Sequence, residues 1–352
     1  MRVKEAIAVI SCGSSLEEKE AYNVMTEIME GMATDSQVAA LITALCMKGE
    51  TEKEITGFAK AIRAKASPVS VTGMRLADTC GTGGDMLHTY NVSTTVAFIV
   101  ASCGVAVAKH GNRAVSSNCG SADVLEALGV NVELPPPAAA RCIEETGMAF
   151  LFAPTFHSAM KHAVKARKEI GIRTVFNLLG PLVNPAGVQV QLIGVYAPEL
   201  TEIIGQVLMR LGVKSALVVH GEGGMDEIST LGPTKVTEVR AEAMKTYYLD
   251  PEKLGLRKAF QEDFKGGNLK ENADITVQIL KGSSGPKLDL ALINAAAVLY
   301  AADRVPDIAE GIVMAREAVY SGLALQQLDA LRQFTARFSG EEEKAEPRLS
   351  SA

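Results

Sequence analysis

Seven consecutive residues, Thr79-Cys80-Gly81-Thr82-Gly83-Gly84-Asp85, carry the first chemical signal in this chain. Three glycines in so short a run let the backbone take positive φ and approach a ligand without Cβ clashes. Successive N–H groups in such a turn form a nest for an anion. A helix expected from about Ser93 would aim its positive end at the same place, with Asn91, Ser93 and Thr94 able to cap it or donate to phosphate oxygens. Two common glycine motifs do not fit. A Walker loop requires lysine where Asp85 stands, and a dinucleotide fingerprint requires glycine where Met86 stands. Taken alone, the segment is either a phosphate cradle or a strand-to-helix turn with no ligand.

A basic strip, Lys109-His110-Gly111-Asn112-Arg113-Ala114-Val115-Ser116-Ser117, follows, with Ser121 at the start of the next helix. If both segments leave parallel strands at one sheet edge, they face each other, because ligands bind outside the carboxyl ends of such strands. Further on, Gly223-Gly224-Met225-Asp226-Glu227 places two carboxylates on a flexible loop. That suits magnesium, which takes one or two carboxylates plus substrate oxygens; by itself it is also a plain acidic turn. Arg167 lies among Lys161, Lys165 and Lys168 on a basic helix. One arginine turned inward there could grip a carboxylate through two parallel hydrogen bonds. Of the five histidines, His110 and His157 are pocket candidates by position, and no pair has metal-ligand spacing.

The elements that must position these residues fall into two parts. Residues 1–72 read as helices only, with capping boxes at Ser15–Glu18 and Thr51–Glu54 and helix stops at Gly31 and Gly49. From Pro68 onward, strands alternate with helices. Strands are expected at Leu76–Asp78, Val105–Lys109, Val130–Leu134, Ala149–Ala153, Val188–Tyr196 and Ser215–His220. Helices are expected at Ser93–Ser102, Ser121–Leu128, Pro137–Thr146, His157–Ile170 and Glu199–Leu211. This alternation implies an α/β domain with a mostly parallel sheet covered by helices on both faces. Lys235–Arg240 and Lys245–Leu249 read as a strand pair, helices dominate from Ala273, and the polar tail 340–352 is expected to be disordered.

The bulk numbers narrow the function classes. In 352 residues, 47% are hydrophobic and 22% charged, which is ordinary globular usage. A net charge of −6, with no tryptophan, argues against a nucleic-acid partner. The six cysteines form no CxxC pair, so a zinc site is not expected and a reducing compartment is. The longest apolar run, Val96–Val107, is too short to span a bilayer, and the first residues lack a signal peptide's pattern. The expectation is a cytoplasmic protein with no membrane partner.

Read together, DTCGTGGD, TYNVST, KHGNRAVSS, GSADVLEALG, ARKEIGIRTVFNLLGPLVNP and HGEGGMDEIS resemble the anthranilate phosphoribosyltransferases, in their order and over nearly the whole chain. The resemblance implies a nucleoside-phosphorylase/phosphoribosyltransferase-like fold. It implies transfer of phosphoribose from 5-phosphoribosyl 1-diphosphate to the amine of anthranilate, releasing diphosphate, in tryptophan biosynthesis. It implies Mg2+, with two substrate-assisted ions expected. Carried over residue by residue, Gly81, Gly84, Asp85, Thr89, Asn91, Val92, Ser93 and Thr94 become phosphoribosyl-diphosphate contacts, and so do Lys109 through Ser117 and Ser121. Gly81, Asn112 and Arg167 become anthranilate contacts, with His110, Pro154 and His157 along the approach. Ser93, Asp226 and Glu227 become magnesium positions. The resemblance also implies a homodimer joined through residues 1–72, to which helices near 167–184 return, with 73–339 forming the catalytic domain. Tyr90, where phenylalanine is common, and Cys80 are the visible departures. A pyrimidine nucleoside phosphorylase shares this architecture but not the full motif set. Relatives that bind nucleic acid tend to be basic.

Overall fold

The computed structural model describes residues 1–84, 87–114 and 119–338. Asp85, Val115, Ser116, Ser117 and the tail 340–352 lie outside the described residues, so the expectations on them stand as expectations.

Four helices open the chain: α1 (Val3–Ser11), α2 (Glu18–Met29), α3 (Asp35–Lys48) and α4 (Glu52–Lys65). Thr51 caps α4 as expected, its hydroxyl accepting from the Glu54 N–H. The box expected at Ser15 lies further along: Glu17 caps α2 and its N–H donates to Glu20. The reason is long-range. The Leu16 N–H is taken by the buried carboxylate of Glu54, which fixes where α2 can begin.

The larger part runs β1 (Ala77–Asp78), α5 (Val92–Ser102), β2 (Val107–Gly111), α6 (Ser121–Ala127), α7 (Pro136–Thr146) and β3 (Met148–Phe152). Next come α8 (Ala153–Phe156), α9 (Lys161–Ile170), α10 (Val175–Leu179), β4 (Val190–Gly194), α11 (Leu200–Arg210) and β5 (Ser215–His220). The chain closes with β6 (Thr234–Arg240), β7 (Ala243–Leu249), α12 (Leu269–Leu280), α13 (Pro286–Ala301), α14 (Ile308–Tyr320) and α15 (Leu323–Ala336). The strands order as β3-β2-β1-β4-β5-β6-β7. β1 to β5 are parallel, and β6 and β7 add antiparallel. The order reverses at β1, so the cleft beyond the ends of β1 and β4 is the switch point where such sheets bind ligands.

Val130–Leu134 is not a strand. Its side chains alternate in and out, with Val130, Val132 and Leu134 buried. Its backbone is satisfied elsewhere, however: the Asn131 N–H donates to Thr335 of α15. The basic helix is also divided, since α8 and a short 3₁₀ turn (Ser158–Met160) precede α9.

Two apolar clusters form the core. One fills the space between the sheet and α5, α13 and α15. The other joins α1–α4 to Ala163, Ala166 and 175–183, and then runs on to Ile193, Ile204 and Val218. The first helices therefore do not close on themselves. α9 and α10 complete them, and they share buried side chains with one face of the sheet.

Candidate active site

Positive φ values at Gly83 (+67°) and Gly84 (+83°) confirm that the turn after β1 needs glycine there. The turn is pinned from two sides. The Thr82 N–H donates to the Gly194 carbonyl at the end of β4 (2.8 Å), and the Gly83 N–H donates to Oδ2 of Asp226 (2.7 Å). A Cβ on Gly194 would collide with the Asp226 backbone. The end of β4 is thus glycine because the acidic loop passes against it. Asp226, the first residue of the acidic pair, is thereby brought directly onto the glycine turn.

β2 begins two residues later than expected. The Val105 N–H closes the end of α5 on Val100, so Lys109, the expected last strand residue, lies mid-strand and is followed in β2 by His110 and Gly111. Lys109 is 1% exposed, and its Nζ lies 3.3 Å from both Thr79 Oγ1 and Ser93 Oγ. A buried ammonium therefore joins the turn to the start of α5. Ser93 is half-buried, Thr94 is buried, and the Thr94 hydroxyl and Asn91 Oδ1 are buried with no hydrogen-bond partner among the described residues. The other nitrogen-bearing arm of Asn91 donates to the Cys119 carbonyl. Val92 is buried, and Thr89 bridges to Lys265.

Arg113 does not offer a free cation. Its guanidinium forks onto Glu126 (2.6 and 2.7 Å) and reaches Asp123 on α6. Asn112, whose carbonyl accepts from the Ser121 hydroxyl, is exposed beside it. Ser121 is the first residue of α6, as expected, and Gly120 holds the N-cap position. Gly111 sits so close to Ser121 and Phe150 that a Cβ would strike both.

His110, next to Lys109 on β2, and His157 meet edge to face at 5.1 Å, both buried. His110 Nδ1 lies 3.1 Å from the Gly180 carbonyl, its Nε2 has no hydrogen-bond partner among the described residues, and the backbone of Val183 approaches the His157 ring. Burial pushes His110 down to about 3 and His157 to about 4, so both rings are neutral near pH 7. Pro154 is exposed on α8. Arg167, on α9, is half-buried with its guanidinium 4.9 Å over the Phe176 ring, and burial lowers its pKa. It has no carboxylate partner among the described residues. Cys80 is no nucleophile: burial first, then Asp78, pushes its thiol up to about 12.

The family comparisons agree with this geometry. Residues 73–325 match the glycosyl transferase family a/b domain, and residues 4–66 match its helical bundle domain. The anthranilate phosphoribosyltransferase of Moorella thermoacetica is 52% identical over 94% of this chain and 97% of its own length. The chain belongs to the anthranilate phosphoribosyltransferase family. The Thermus thermophilus family member superposes with a TM-score of 0.89 at 45% identity, covering 94% of this chain and 99% of that one. The Saccharomyces cerevisiae member, in complex with PRPP and Mg, gives 0.88 at 28% identity, covering 95% and 98%.

Within the family frame, the departure at Tyr90 is accommodated, since its buried hydroxyl donates to the Lys287 carbonyl (2.7 Å). The donor set also suits magnesium carried in by a substrate. Among the described residues no group of three or more His, Cys, Asp or Glu side chains forms a ready cage. What is present is carboxylate oxygen at Asp226, beside the glycine turn, and hydroxyl oxygen at Ser93. Hard oxygens few in number leave coordination positions for phosphate and water.

Sequence reasoning missed four contributors. Asp78 is fully buried at the end of β1, and Asn184 bonds to it from the GPLVNP segment. Gly194 carries the acidic loop. Arg173 stacks on Tyr196 (4.8 Å) and donates to the Gly84 carbonyl. Only Asp78 had a local signal, as a carboxylate at a strand end immediately before a glycine turn.

Proposed function

We propose that this chain transfers the phosphoribosyl group of 5-phosphoribosyl 1-diphosphate to the amine of anthranilate, releasing diphosphate, and that the cleft at the β1/β4 switch point holds both substrates. The observation that carries the reading is the meeting of the glycine turn, buried Lys109, Ser93 and Asp226 at one sheet edge. N–H groups of the turn and the Lys109 ammonium supply positive potential where a leaving diphosphate gains charge. Displacement at the anomeric carbon breaks the bond to the diphosphate oxygen and forms the bond to the anthranilate nitrogen. The amine loses its proton after bonding, and no strong base is needed, because an aromatic amine is neutral and nucleophilic near pH 7. The two neutral histidines line an apolar approach suited to an aromatic ring. Arg167 holds the anthranilate carboxylate, which orients the amine, and such positioning can contribute up to about 7–11 kcal/mol to the barrier in favourable cases.

Ser93, Asp226 and Glu227 would hold Mg2+, which supplies charge neutralisation on the diphosphate when bound. Two ions are part of this reading. So are a homodimer formed through the helical body and a cytoplasmic location. The helical body exposes Met32, Met47, Val164 and Ile172, apolar side chains that a second copy would cover. No helix among the described residues is long and apolar enough to cross a membrane. Anthranilate fluoresces, so its disappearance on mixing with phosphoribosyl diphosphate, Mg2+ and the protein reports turnover. Persistent fluorescence with folded protein in the complete mixture refutes the reading.

A further inference from the structure

Asp78 is a carboxylate with no exposed surface, at the end of the strand that launches the glycine turn. Its Oδ1 accepts from the Thr79 N–H (2.8 Å) and the His110 N–H (3.3 Å). Its Oδ2 accepts from Asn184 Nδ2 (2.8 Å), which also donates to the Ala108 carbonyl (2.7 Å). These partners belong to three separate pieces of the cleft. Thr79 opens the phosphate cradle, and its hydroxyl in turn donates to the Ser93 carbonyl and receives Lys109 Nζ. His110 is the ring that meets His157. Asn184 lies in the GPLVNP segment, whose Gly180 carbonyl contacts the His110 ring and whose Pro181 carbonyl accepts from Gln191 on β4.

A buried carboxylate is costly unless it is hydrogen-bonded and balanced by an opposite charge. Here the balance comes from the Lys109 ammonium, which acts on Asp78 through space and is itself 1% exposed. An apolar side chain at position 78 would fill the space without that cost. The carboxylate therefore implies a task that shape alone does not perform.

We propose that Asp78 is a positioning residue, which orients Lys109 toward the diphosphate and fixes the anthranilate-facing GPLVNP segment relative to the phosphate cradle. The proposal rests on the substrate assignment given above. It makes one buried acid the shared anchor of the two half-sites, so that the amine and the anomeric carbon are placed by the same group.

The test uses Asp78→Asn, Lys109→Met, their double variant and Asn184→Ala in the full chain, with folding checked by circular dichroism. Asp78→Asn keeps the acceptor for Thr79 and His110 but turns an N–H toward Asn184 and removes the charge facing Lys109. Its kcat should fall about tenfold to a hundredfold, as expected for misplacement on the ångström scale. In the double variant Asp78→Asn should cost less than it does alone, since the ammonium it orients is already gone and only its hold on the GPLVNP segment remains to be lost. Asn184→Ala, which leaves the charge in place, should lower kcat/KM for anthranilate at least fivefold, with phosphoribosyl-diphosphate affinity by calorimetry within twofold of the parent. Should Asp78→Asn fail to fold, Asn184→Ala decides alone. Parental kinetics in folded Asp78→Asn or in Asn184→Ala, or effects of Asp78→Asn and Lys109→Met that multiply in the double variant, overturn the proposal. Unchanged phosphoribosyl-diphosphate binding in Lys109→Met overturns the substrate assignment itself, and the positioning role with it.

Discussion

Replacing Arg167 by alanine should separate the two substrates kinetically. The guanidinium is half-buried on the Phe176 ring, and among the described residues no carboxylate neutralises it. Burial already disfavours its charge in the free protein, which the lowered pKa records. An arriving carboxylate therefore meets a cation that is partly stripped of water and held in one plane. Two parallel charge-assisted hydrogen bonds, discounted for the remaining solvent, are together worth about 3 kcal/mol. At about 1.4 kcal/mol per tenfold, the anthranilate KM should rise roughly a hundredfold, while the phosphoribosyl-diphosphate KM stays within twofold. Arg167→Lys keeps a charge but loses the planar fork, and should fall between the two. Steady-state kinetics with each substrate varied in turn gives the answer, and fluorescence titration of anthranilate separates binding from turnover. Arg63 is the natural control. It too is strongly desolvated, down to about 10, but its Nε is occupied by the Leu182 carbonyl (2.6 Å). Equal rises in both KM values for Arg167→Ala, or an anthranilate effect that follows Arg63→Ala instead, would refute the reasoning.

Three other outcomes are expected. Acidification should destabilise the fold: His110 and His157, depressed to about 3 and about 4, take up protons in the unfolded chain below pH 6.5 that the folded chain refuses. Asp78, raised to about 6 mainly by burial, opposes them by binding a proton in the folded chain first, leaving a net loss of about 3 kcal/mol between pH 6.5 and 4. Urea midpoints against pH should show this slope, and His157→Gln should nearly flatten it; an unchanged slope refutes the assignment. Asp226→Asn keeps an acceptor for the Gly83 N–H but loses charge, so half-maximal activity should require about tenfold more Mg2+ or higher. Gly194→Ala drives a methyl group into the Asp226 backbone, and should cost about 1–3 kcal/mol in thermal or urea unfolding together with most of the activity. Parental stability and rate in Gly194→Ala would show that the acidic loop is not held by β4.

Local chemistry made much of this molecule readable in advance. The glycine turn declares itself because Gly83 and Gly84 need positive φ, and the Thr51 box declares itself because its partner is three residues away. The α/β alternation follows from apolar runs bounded by helix signals. What stayed hidden depends on residues far apart in sequence. Asp78 and Asn184 are separated by 106 positions, and Gly83 and Asp226 by 143. Val130–Leu134 has a strand's alternation, but whether a segment joins a sheet depends on a vacant neighbour, and its N–H groups are claimed by Leu125, by Thr335 of α15 and by its own Asn131 side chain. The same limit explains Arg113. Its charge suggested a phosphate contact, and only the packing of α6 shows that Glu126 and Asp123 claim it first.

The way α9 and α10 complete the first four helices sets an order of assembly during synthesis. When residues 1–66 have left the ribosome, Val38, Leu41, Phe58 and Ile62 still lack Ala163, Ala166, Phe176 and Leu179. At about 5–20 residues per second, those partners emerge on the order of ten seconds later, after β1, β2 and β3. The opening helices must wait in an incomplete state while the sheet begins to form. A fragment ending at residue 72 should accordingly show helical circular dichroism without a cooperative thermal transition, and adding a peptide spanning 157–185 should restore one.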